Sequence, residues 1–557
     1  MGFLKIGFAS LLLGLAVAAH AGHLSTNGVD GHGSPYLAMH GKDPVHWQPW
    51  GADALAQARN EDKLLYVTVG YFSCYWCHVM HRQSFRNAEI ASMLNEGFVS
   101  VVIDRELRPA LDAHLMDFVE RTRGRAGWPL NVFITPEGHP LVGTTYMRPD
   151  TFKALLARLD GRWQEQKGVL KSIAEEAARV LASQRPSTEA RELGDDAPRR
   201  YRRKFLQQTM SVADELAGGF GEDSKFPLVP QLRALLAEYQ VAPTERLGNF
   251  LHLTFRQMAL KGLRDQLGGG FFRYTTDPGW EQPHFEKMLY DNALLADLYL
   301  QAGEVLGDPQ LRAIGSDTLD FMLADLAGDS GAFIASLSSV DDKGVEGGHY
   351  LWDEATLEDV LQGRELDLAR MAWGLEGTTD FDHGYLPMQS AGTAQLADRL
   401  SMEPTEVGQT MAAVREKMLA ARKQRALPQD IKQLAAWNGL ALSALARAAA
   451  QPQGQHYRRA GRKLHQYLTE TLWDGGELIR ARDHNGAVTP ATLEDYAFVA
   501  QGLLAWARLT GNEKHLAPVK RLVHAAWARF RTNSGWTLSG DSLIPFARAE
   551  PALADGA

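Results

Sequence analysis

Residues 63–80 have the sequence KLLYVTVGYFSCYWCHVM, and this stretch decides the fold of the chain. Its first half is apolar and β-branched, with no charge after Lys63, which is typical of a strand buried on both faces of a sheet. A turn begins at Gly70, and apolar residues at helical spacing follow the second cysteine. Cys74 and Cys77 therefore lie where a buried strand gives way to a helix.

Cys74 and Cys77 are the only cysteines in the 557 residues. A larger disulfide framework and a four-cysteine zinc site are therefore excluded. A Cys-x-x-Cys pair at the start of a helix predicts a redox dithiol, because the helix dipole and the free backbone N–H groups favour a thiolate. We expect Cys74 to be the exposed nucleophile and Cys77, one turn into the helix and more buried, to resolve the mixed disulfide.

Three more strands are predicted further along the chain, at residues 98–103, 130–134 and 141–146. Turn residues such as those at 135–138 separate the last two. Strands that alternate with helical segments in this way indicate an α/β domain.

Pro129 immediately precedes the strand predicted at residues 130–134. A proline that faces a Cys-x-x-Cys helix from this position is where thioredoxin-like folds keep a cis peptide bond, and the alternative is an ordinary trans turn. We predict that a cis Pro129 shapes the groove that receives a substrate. The side chains expected to line this groove are Tyr75, Trp76 and Trp128.

The pattern changes after about residue 200 to apolar residues at three- and four-residue spacing, which predicts long helices. Loops with a glycine beside an aromatic or apolar residue recur at intervals of mostly about 50–60 residues, which is typical of repeated helical hairpins. Six such loops predict an all-α (α/α)6 toroid. They lie at residues 219–220, 270–271, 331–333, 384–385, 476–478 and 535–536.

Acidic and aromatic residues accompany these loops. Carboxylates among aromatic rings are what a sugar site needs, because rings stack on pyranose faces while paired acids protonate and activate water. Each residue alone is also typical of a helix cap or an aromatic core. We therefore carry carbohydrate binding or processing as the alternative function. Its candidate site residues are Asp265, Asp277, His284, Glu286, Asp291, Trp437, Glu494 and Asp495.

The dithiol motif has two further interpretations. Cys-x-x-Cys-His is also the attachment motif of c-type haem, but haem requires a mostly helical pocket, whereas strands surround this motif. Cys74, Cys77, His78 and His81 have the spacing i, i+3, i+4, i+7, which would place soft ligands for zinc or copper on one face of a continuous helix. Because the first cysteine of a redox motif sits at the helix start, we predict no metal and no other cofactor.

Composition restricts the class of protein. Hydrophobic residues make up 45% and charged residues 22% of the chain, which is ordinary for a soluble globular protein of more than one domain. The net charge of −9 gives no basic field for nucleic acid. The basic cluster at residues 199–204 is interpreted as the solvated first turn of a helix.

The N-terminus has the pattern of a secretory signal peptide. Lys5 precedes an apolar run at residues 6–18, and small residues at 19 and 21 suit cleavage after Ala21. An uncleaved anchor is the alternative, but the run is shorter than the roughly 18 residues of a membrane span. The sequence thus predicts a periplasmic or secreted protein without stable membrane insertion, in an oxidising compartment.

Several blocks resemble the signatures of the YyaL-type thioredoxin-domain proteins, a family that includes spermatogenesis-associated proteins of animals. The resemblance implies a thioredoxin-like domain followed by an (α/α)6 toroid similar to glycosidases and N-acylglucosamine epimerases. The blocks lie in the expected order at residues 34–37, 43–50, 77–80, 104–106, 127–133, 268–271, 283–293, 437–440 and 494–497.

Three positions depart from the family pattern. Tyr75 stands where the family usually has His, which makes a strongly oxidising potential less expected, because such a His helps to stabilise the thiolate of disulfide oxidants. His81 stands where the family tends to have an acid, and residues 430–432 replace Asp-Asp-Lys. The chain ends inside a block that continues in relatives, which predicts an incomplete toroid.

These observations predict a signal peptide (residues 1–21), a thioredoxin-like domain (22–182), a linker (183–200) and a toroid (201–557). The predicted function is exported thiol–disulfide exchange with a protein thiol or disulfide partner. A carbohydrate is the alternative ligand.

Overall fold

The computed structural model describes residues 26–184, 194–483, 486–533, 535–539 and 543–545. The predicted signal peptide, residues 185–193 of the predicted linker and the chain after residue 545 lie outside the described residues. None of the helices in these ranges is both long and apolar enough to cross a membrane. We call residues 26–184 the N-terminal half and the described residues from 194 onward the helical half.

The N-terminal half is an α/β domain around a mixed five-stranded sheet of order β1-β3-β2-β4-β5. β1, β3 and β2 are parallel, whereas β4 is antiparallel to both β2 and β5. Every residue of β2 and β3 is buried, and for β2 this agrees with its apolar and β-branched sequence. The strands are β1 (Gln48–Pro49), β2 (Leu64–Gly70), β3 (Phe98–Asp104), β4 (Leu130–Ile134) and β5 (Pro140–Thr144).

Helices pack on both faces of this sheet. α2 and α5 cover the face that carries Leu65 and Val67, and α4 and α6 cover the face that carries Tyr66. A five-residue π-helical turn, His81–Phe85, follows α3. The helices are α1 (Pro35–Met39), α2 (Ala52–Glu61), α3 (Tyr75–Met80), α4 (Ala88–Gly97), α5 (Pro109–Arg123) and α6 (Pro149–Ser183).

The helical half contains long helices joined by loops with short strands. Its helices are α7 (Ala197–Ser211), α8 (Val229–Val241), α9 (Glu245–Leu260), α10 (Leu289–Val305), α11 (Pro309–Phe321), α12 (Glu354–Val360), α13 (Arg364–Trp373), α14 (Thr393–Leu400), α15 (Pro404–Arg422), α16 (Ala435–Ala449), α17 (Gln455–Gln466), α18 (Leu493–Thr510) and α19 (Leu516–Phe530). Its strands are β6 (Tyr274–Thr275), β7 (Pro283–His284), β8 (Lys287–Met288), β9 (Ser336–Leu337), β10 (Gln429–Asp430), β11 (Gln433–Leu434), β12 (Ile479–Asp483), β13 (Gly486–Pro490), β14 (Arg531–Thr532) and β15 (Gly535–Trp536).

Helical hairpins organise this half. The inner helices α8, α10, α16 and α18 are neighbours in that order, and they pair with the outer helices α9, α11, α17 and α19. α10 and α16 are buried almost all round, which explains why their sequences are apolar on every side. The architecture is therefore an α/β domain followed by a helical domain of α/α hairpins, as the sequence predicts.

The predicted glycine loops recur where an outer helix ends. Backbone bridges close the loops of Phe220, Phe271, Phe333 and Leu478 in the same way. At Gly270, which has φ 70°, a Cβ atom would lie 2.3 Å from the ring of Phe321, so only glycine fits. The fourth predicted loop, at residues 384–385, instead pairs with Trp352 beside the separate apolar cluster of α12–α15.

The two halves share one apolar core. A single cluster of buried side chains continues from Tyr66 and Cys77 in the N-terminal half to Tyr290 and Trp437 in the helical half. Ile544, near the end of the described chain, packs into the core on the opposite face of the sheet. The dithiol is therefore part of the contact between the two halves.

Candidate functional site at the contact of the two halves

The dithiol has the local geometry that its sequence predicts. Cys74 caps the N-terminus of α3, and its Sγ accepts a hydrogen bond from the Cys77 backbone N–H at 3.2 Å. The two Sγ atoms form a disulfide, with the Cα atoms 5.3 Å apart. This separation lies within the range of about 4.4–6.8 Å that a disulfide requires.

The cis isomer predicted for Pro129 is confirmed. The peptide bond between Trp128 and Pro129 is cis. β4 begins at the next residue and pairs with β2, so that Leu130 lies opposite Val69, one residue before β2 ends. Pro129 therefore lies at the end of the sheet where β2 ends and the chain continues to the dithiol.

The predicted exposure of Cys74 is wrong, because the helical half covers it. Cys74 is only 4% exposed and Cys77 only 1% exposed. The Ser339 N–H donates to the carbonyl oxygen of Ser73 at 3.1 Å, and the Ser73 hydroxyl donates to Met288 Sδ at 3.2 Å. A motif at a helix start predicts exposure only when no other part of the chain packs on it.

The three predicted groove residues have different surroundings. Trp76 is 39% exposed and contacts the ring of Tyr146, with the ring centres 4.9 Å apart. Trp128 lies between two guanidinium groups, at 4.0 Å from that of Arg105 and 5.1 Å from that of Arg273. Trp76 is therefore an exposed aromatic side chain beside the dithiol, and its role in a groove stays a prediction.

Tyr75, the third groove residue, stacks on His284 of the helical half at 5.6 Å. His284 Nδ1 lies 2.5 Å from Glu346 Oε1. Burial alone would lower the pKa of His284, but the bond to Glu346 together with the negative charges of Glu286 and Glu346 outweighs it and raises this pKa. Burial also raises the pKa of Glu346. Both shifts fit a single proton held between the imidazole and the carboxylate.

A second set of contacts joins the halves beside the dithiol. The Tyr71 hydroxyl donates to Glu286 Oε1 at 2.9 Å and accepts from Arg273 Nη1 at 2.5 Å. Arg273 Nε donates to the Tyr290 hydroxyl at 3.0 Å. Burial raises the pKa of Tyr71 well above its ordinary value, so this hydroxyl stays protonated. The sequence interpretation missed Tyr71 and Arg273, although Tyr71 lies only three residues before Cys74.

A buried charge cluster, which we call the Lys432 cluster, holds the halves together elsewhere. Lys432 Nζ bonds to Asp104 Oδ2 and lies 2.9 Å from both Glu106 Oε2 and Asp430 Oδ2. All four side chains are buried, and neither carboxylate oxygen of Glu106 has a hydrogen-bond partner among the described residues. Burial raises the pKa of Glu106 to about 8 and also raises that of Asp430. The three carboxylates raise the pKa of Lys432 far enough to outweigh its burial.

Most acids of the alternative sugar site have structural partners. Asp265 is buried between Lys287 and Arg422, at 2.7 and 2.9 Å. Asp277 accepts backbone hydrogen bonds from Gly279, Glu281 and Gln282 within its own loop.

The last two acids of the alternative site, Glu494 and Asp495, meet Arg480 at 3.7 and 2.9 Å. Arg480 Nε in turn donates to the carbonyl oxygen of Glu106 at 2.6 Å, so these acids also support the contact between the halves.

The remaining residues of the alternative site lie near the dithiol contacts. Asp291 and Arg273 line a small cavity of about 10 Å³, which is room for one water molecule. The Trp437 and Tyr290 rings are 4.8 Å apart in the shared core. Glu286 Oε2 is buried without a hydrogen-bond partner in the described part of the chain.

The alternative Cys/His metal set does not converge in this structure. Cys74 and Cys77 are joined to each other. His78 Nε2 bonds to the carbonyl oxygen of Phe72 at 2.7 Å, and burial lowers the pKa of His78 to about 4. His81 Nε2 lies 2.8 Å from Asp43 Oδ1 instead. The two histidines thus engage different partners.

Comparisons with known proteins agree with the fold. Residues 26–182 match the family described as "Thioredox_DsbH: Protein of unknown function, DUF255". Spermatogenesis-associated protein 20 of Homo sapiens is 35% identical over 521 residues, covering 85% of this chain and 66% of that protein. An uncharacterized protein of Caenorhabditis elegans is 28% identical over 548 residues, covering 91% of this chain and 74% of that protein. The chain thus spans 66% of the length of the human relative.

Two solved structures are also similar. A sugar epimerase from a ruminal bacterium is 11% identical, with a TM-score of 0.31, covering 62% of this chain and 90% of that chain. A family 76 glycoside hydrolase from a bovine Bacteroides thetaiotaomicron strain is 9% identical, with a TM-score of 0.38, covering 64% of this chain and 62% of that chain.

Proposed function

This chain belongs to the YyaL-type family of thioredoxin-domain proteins, which includes spermatogenesis-associated protein 20, and from that premise we propose that it catalyses thiol–disulfide exchange. The observation that carries the proposal is the disulfide of Cys74 and Cys77 at the start of α3, beside the cis bond of Trp128 and Pro129. A free helix N-terminus favours the thiolate that such exchange needs.

The proposed exchange proceeds in two steps. In the reduced protein, the Cys74 thiolate attacks one sulfur of a partner disulfide, and the other partner sulfur leaves as a thiolate. The Cys77 thiolate then attacks Cys74 Sγ, which re-forms the intramolecular disulfide and releases the second partner thiolate. Two electrons pass from the dithiol to the partner, and the reverse sequence oxidises a partner dithiol.

Exchange at Cys74 requires the two halves to separate locally. The contacts that must open are the stack of Tyr75 on His284 and the hydrogen bond from Ser339 to Ser73. We propose a protein thiol or disulfide as the partner, which would displace the segment around Ser339 and bind beside Trp76.

We further propose that the protein is exported after cleavage behind Ala21, since an oxidising compartment maintains disulfides of this kind. The intact mass of the exported protein tests this: a chain that begins at Gly22 supports export, and a retained Met1 rejects it.

A carbohydrate-processing role of the helical half is the second candidate. The observation that favours it is Glu286, whose Oε2 is buried without a hydrogen-bond partner among the described residues, near the cavity of Arg273 and Asp291. The cavity would have to widen to admit a sugar ring. Sugar turnover by a Cys74→Ser/Cys77→Ser variant, lost on Glu286→Gln, would establish this role and reject a purely redox function.

The decisive experiment for the redox proposal is trapping with a Cys77→Ser variant. Without the resolving thiol, mixed disulfides between Cys74 and the partner should accumulate and appear on non-reducing gels. A Cys74→Ser variant is the matched control and should trap nothing. If Cys77→Ser traps no partner and the wild type shows no exchange with a model disulfide, the redox proposal is rejected.

A further inference from the structure

Three side chains other than the dithiol cysteines converge in the N-terminal half. His40 Nδ1 lies 2.8 Å from Asp43 Oδ2, and His81 Nε2 lies 2.8 Å from Asp43 Oδ1. The three candidate ligand atoms lie within 4.8 Å of one another. We call His40, Asp43 and His81 the Asp43 triad. His40 caps the C-terminal end of α1, and the π-helical turn after α3 begins at His81.

The carboxylate of the triad is buried without a permanent positive charge beside it. The Asp43 side chain is 2% exposed, that of His40 is 0% and that of His81 is 12%. Among the described residues, the side-chain partners of Asp43 are these two imidazoles and the Trp47 indole, with no lysine or arginine. Burying a carboxylate is costly unless a positive charge compensates it, and a bound dication would do so.

The surroundings of the triad are those of a metal site. Trp47 Nε1 donates to Asp43 Oδ2 at 3.0 Å, which fixes the carboxylate in the way that outer hydrogen bonds orient metal ligands. The rings of Tyr36, Trp47 and Phe85 surround His40 edge-on and form an apolar shell.

The other nitrogen of His40 also permits metal binding at Nδ1. His40 Nε2 is buried and has no hydrogen-bond partner in the described part of the chain. When Nδ1 becomes a ligand, the ring proton moves to Nε2; no existing hydrogen bond is lost there, but the N–H at Nε2 has no acceptor among the described residues and needs a water molecule as its partner. In the hydrogen-bonded arrangement, Nδ1 must keep this proton to donate to Asp43.

We propose that the Asp43 triad binds one divalent transition-metal ion, with zinc as the best match to its donor set. Two imidazole nitrogens and one carboxylate oxygen are ligands that zinc accepts, and three protein ligands leave a fourth position for water. The ion replaces the protons that the two rings share with Asp43. This site has only His81 in common with the Cys/His set considered from the sequence.

Metal analysis of the full-length oxidised protein tests this. After loading with zinc and desalting, the wild type should retain about one zinc ion per chain. His81→Gln preserves a hydrogen-bond donor to Asp43 but removes the imidazole, and it should reduce the retained zinc at least about tenfold. His456→Ala, on α17, is the matched control and should retain the wild-type amount.

Two further measurements separate the outcomes. Cys74→Ser/Cys77→Ser should keep the zinc, and the cobalt-loaded protein should show no thiolate-to-metal absorption. Circular dichroism checks that His81→Gln is folded, and Asp43→Asn replaces it if it is not. The proposal is overturned if the wild type retains no more zinc than the triad variant, or if the cysteine variant loses the metal. The triad is then a hydrogen-bonded pair of histidines on one carboxylate.

Discussion

The dithiol and the Lys432 cluster both lie where the two halves meet, but they are assembled over very different distances along the chain. The cysteines are 3 residues apart, whereas Lys432 and Asp104 are 328 apart. The dithiol belongs to the shared apolar core, whereas the cluster places three carboxylates around one ammonium group. The spacing within one short motif brings the cysteines together, whereas the cluster forms only when residues far apart in the sequence meet.

The largest effect should come from the dithiol itself. Cys74→Ser should abolish exchange with a model disulfide, because the nucleophile is removed. Cys77→Ser should still attack but should stop at the mixed disulfide after a single turnover. Stopped-flow or gel assays of thiol release measure both. Exchange that survives in Cys74→Ser would remove the dithiol from the reaction.

The Lys432 cluster should respond through stability. Lys432→Met leaves Asp104, Glu106 and Asp430 buried without their shared cation, which should cost about 3–5 kcal/mol in the free energy of unfolding. Urea denaturation measures this loss. Lys520→Met, at an exposed position of α19, is the control and should show little change. A loss below about 1 kcal/mol would mean that the carboxylates reach water or other partners.

The same contrast shows which features could be predicted from the sequence: local features could, whereas contacts between residues far apart in the sequence could not. The strand before Cys74, the helix start and Pro129 follow from local periodicity and from residues within one motif. The burial of Cys74 does not, because it depends on Ser339 and Met288, more than two hundred residues away. No periodic pattern encodes such a contact.

The acids of the helical half show the same limit. Asp265 and Asp277 stand beside glycines and aromatics, as catalytic carboxylates do, but their partners are Lys287, Arg422 and loop N–H groups. A sequence gives the type and spacing of a carboxylate, whereas its partner decides between a structural and a chemical role. Helical spacing places His81 with the cysteines, whereas the structure pairs it with Asp43.

A smaller, pH-dependent effect should distinguish the cluster from the dithiol. The pKa of Glu106 is raised from its ordinary value of 4.5 to about 8 in the folded protein. The folded state therefore holds a proton that the unfolded state releases, so this group's contribution is present below about pH 4.5 and is lost as the pH rises towards 8. The slope is at most about 1.4 kcal/mol per pH unit.

Glu106→Gln tests this linkage. The variant should gain stability relative to the wild type as the pH rises from 5 to 8, as measured by urea denaturation at each pH. Glu89→Gln, an exposed acid on α4, is the control and should show no such trend. If the difference between Glu106→Gln and wild type does not change with pH, Glu106 is ionised throughout this range in the folded state.

The smallest effect concerns the contacts by which the helical half buries the dithiol. His284→Ala removes the ring that stacks on Tyr75, and aromatic stacking contributes about 0.5–1.5 kcal/mol. The disulfide should then be reduced by dithiothreitol about two- to tenfold faster, because local opening costs less. His284→Phe keeps a stacking ring but loses the bond to Glu346, so its rate should stay near that of the wild type. Equal reduction rates in all three proteins would mean that the hydrogen bond from Ser339 to Ser73 keeps the dithiol buried. Faster reduction in both variants would mean that the bond between His284 and Glu346 does so.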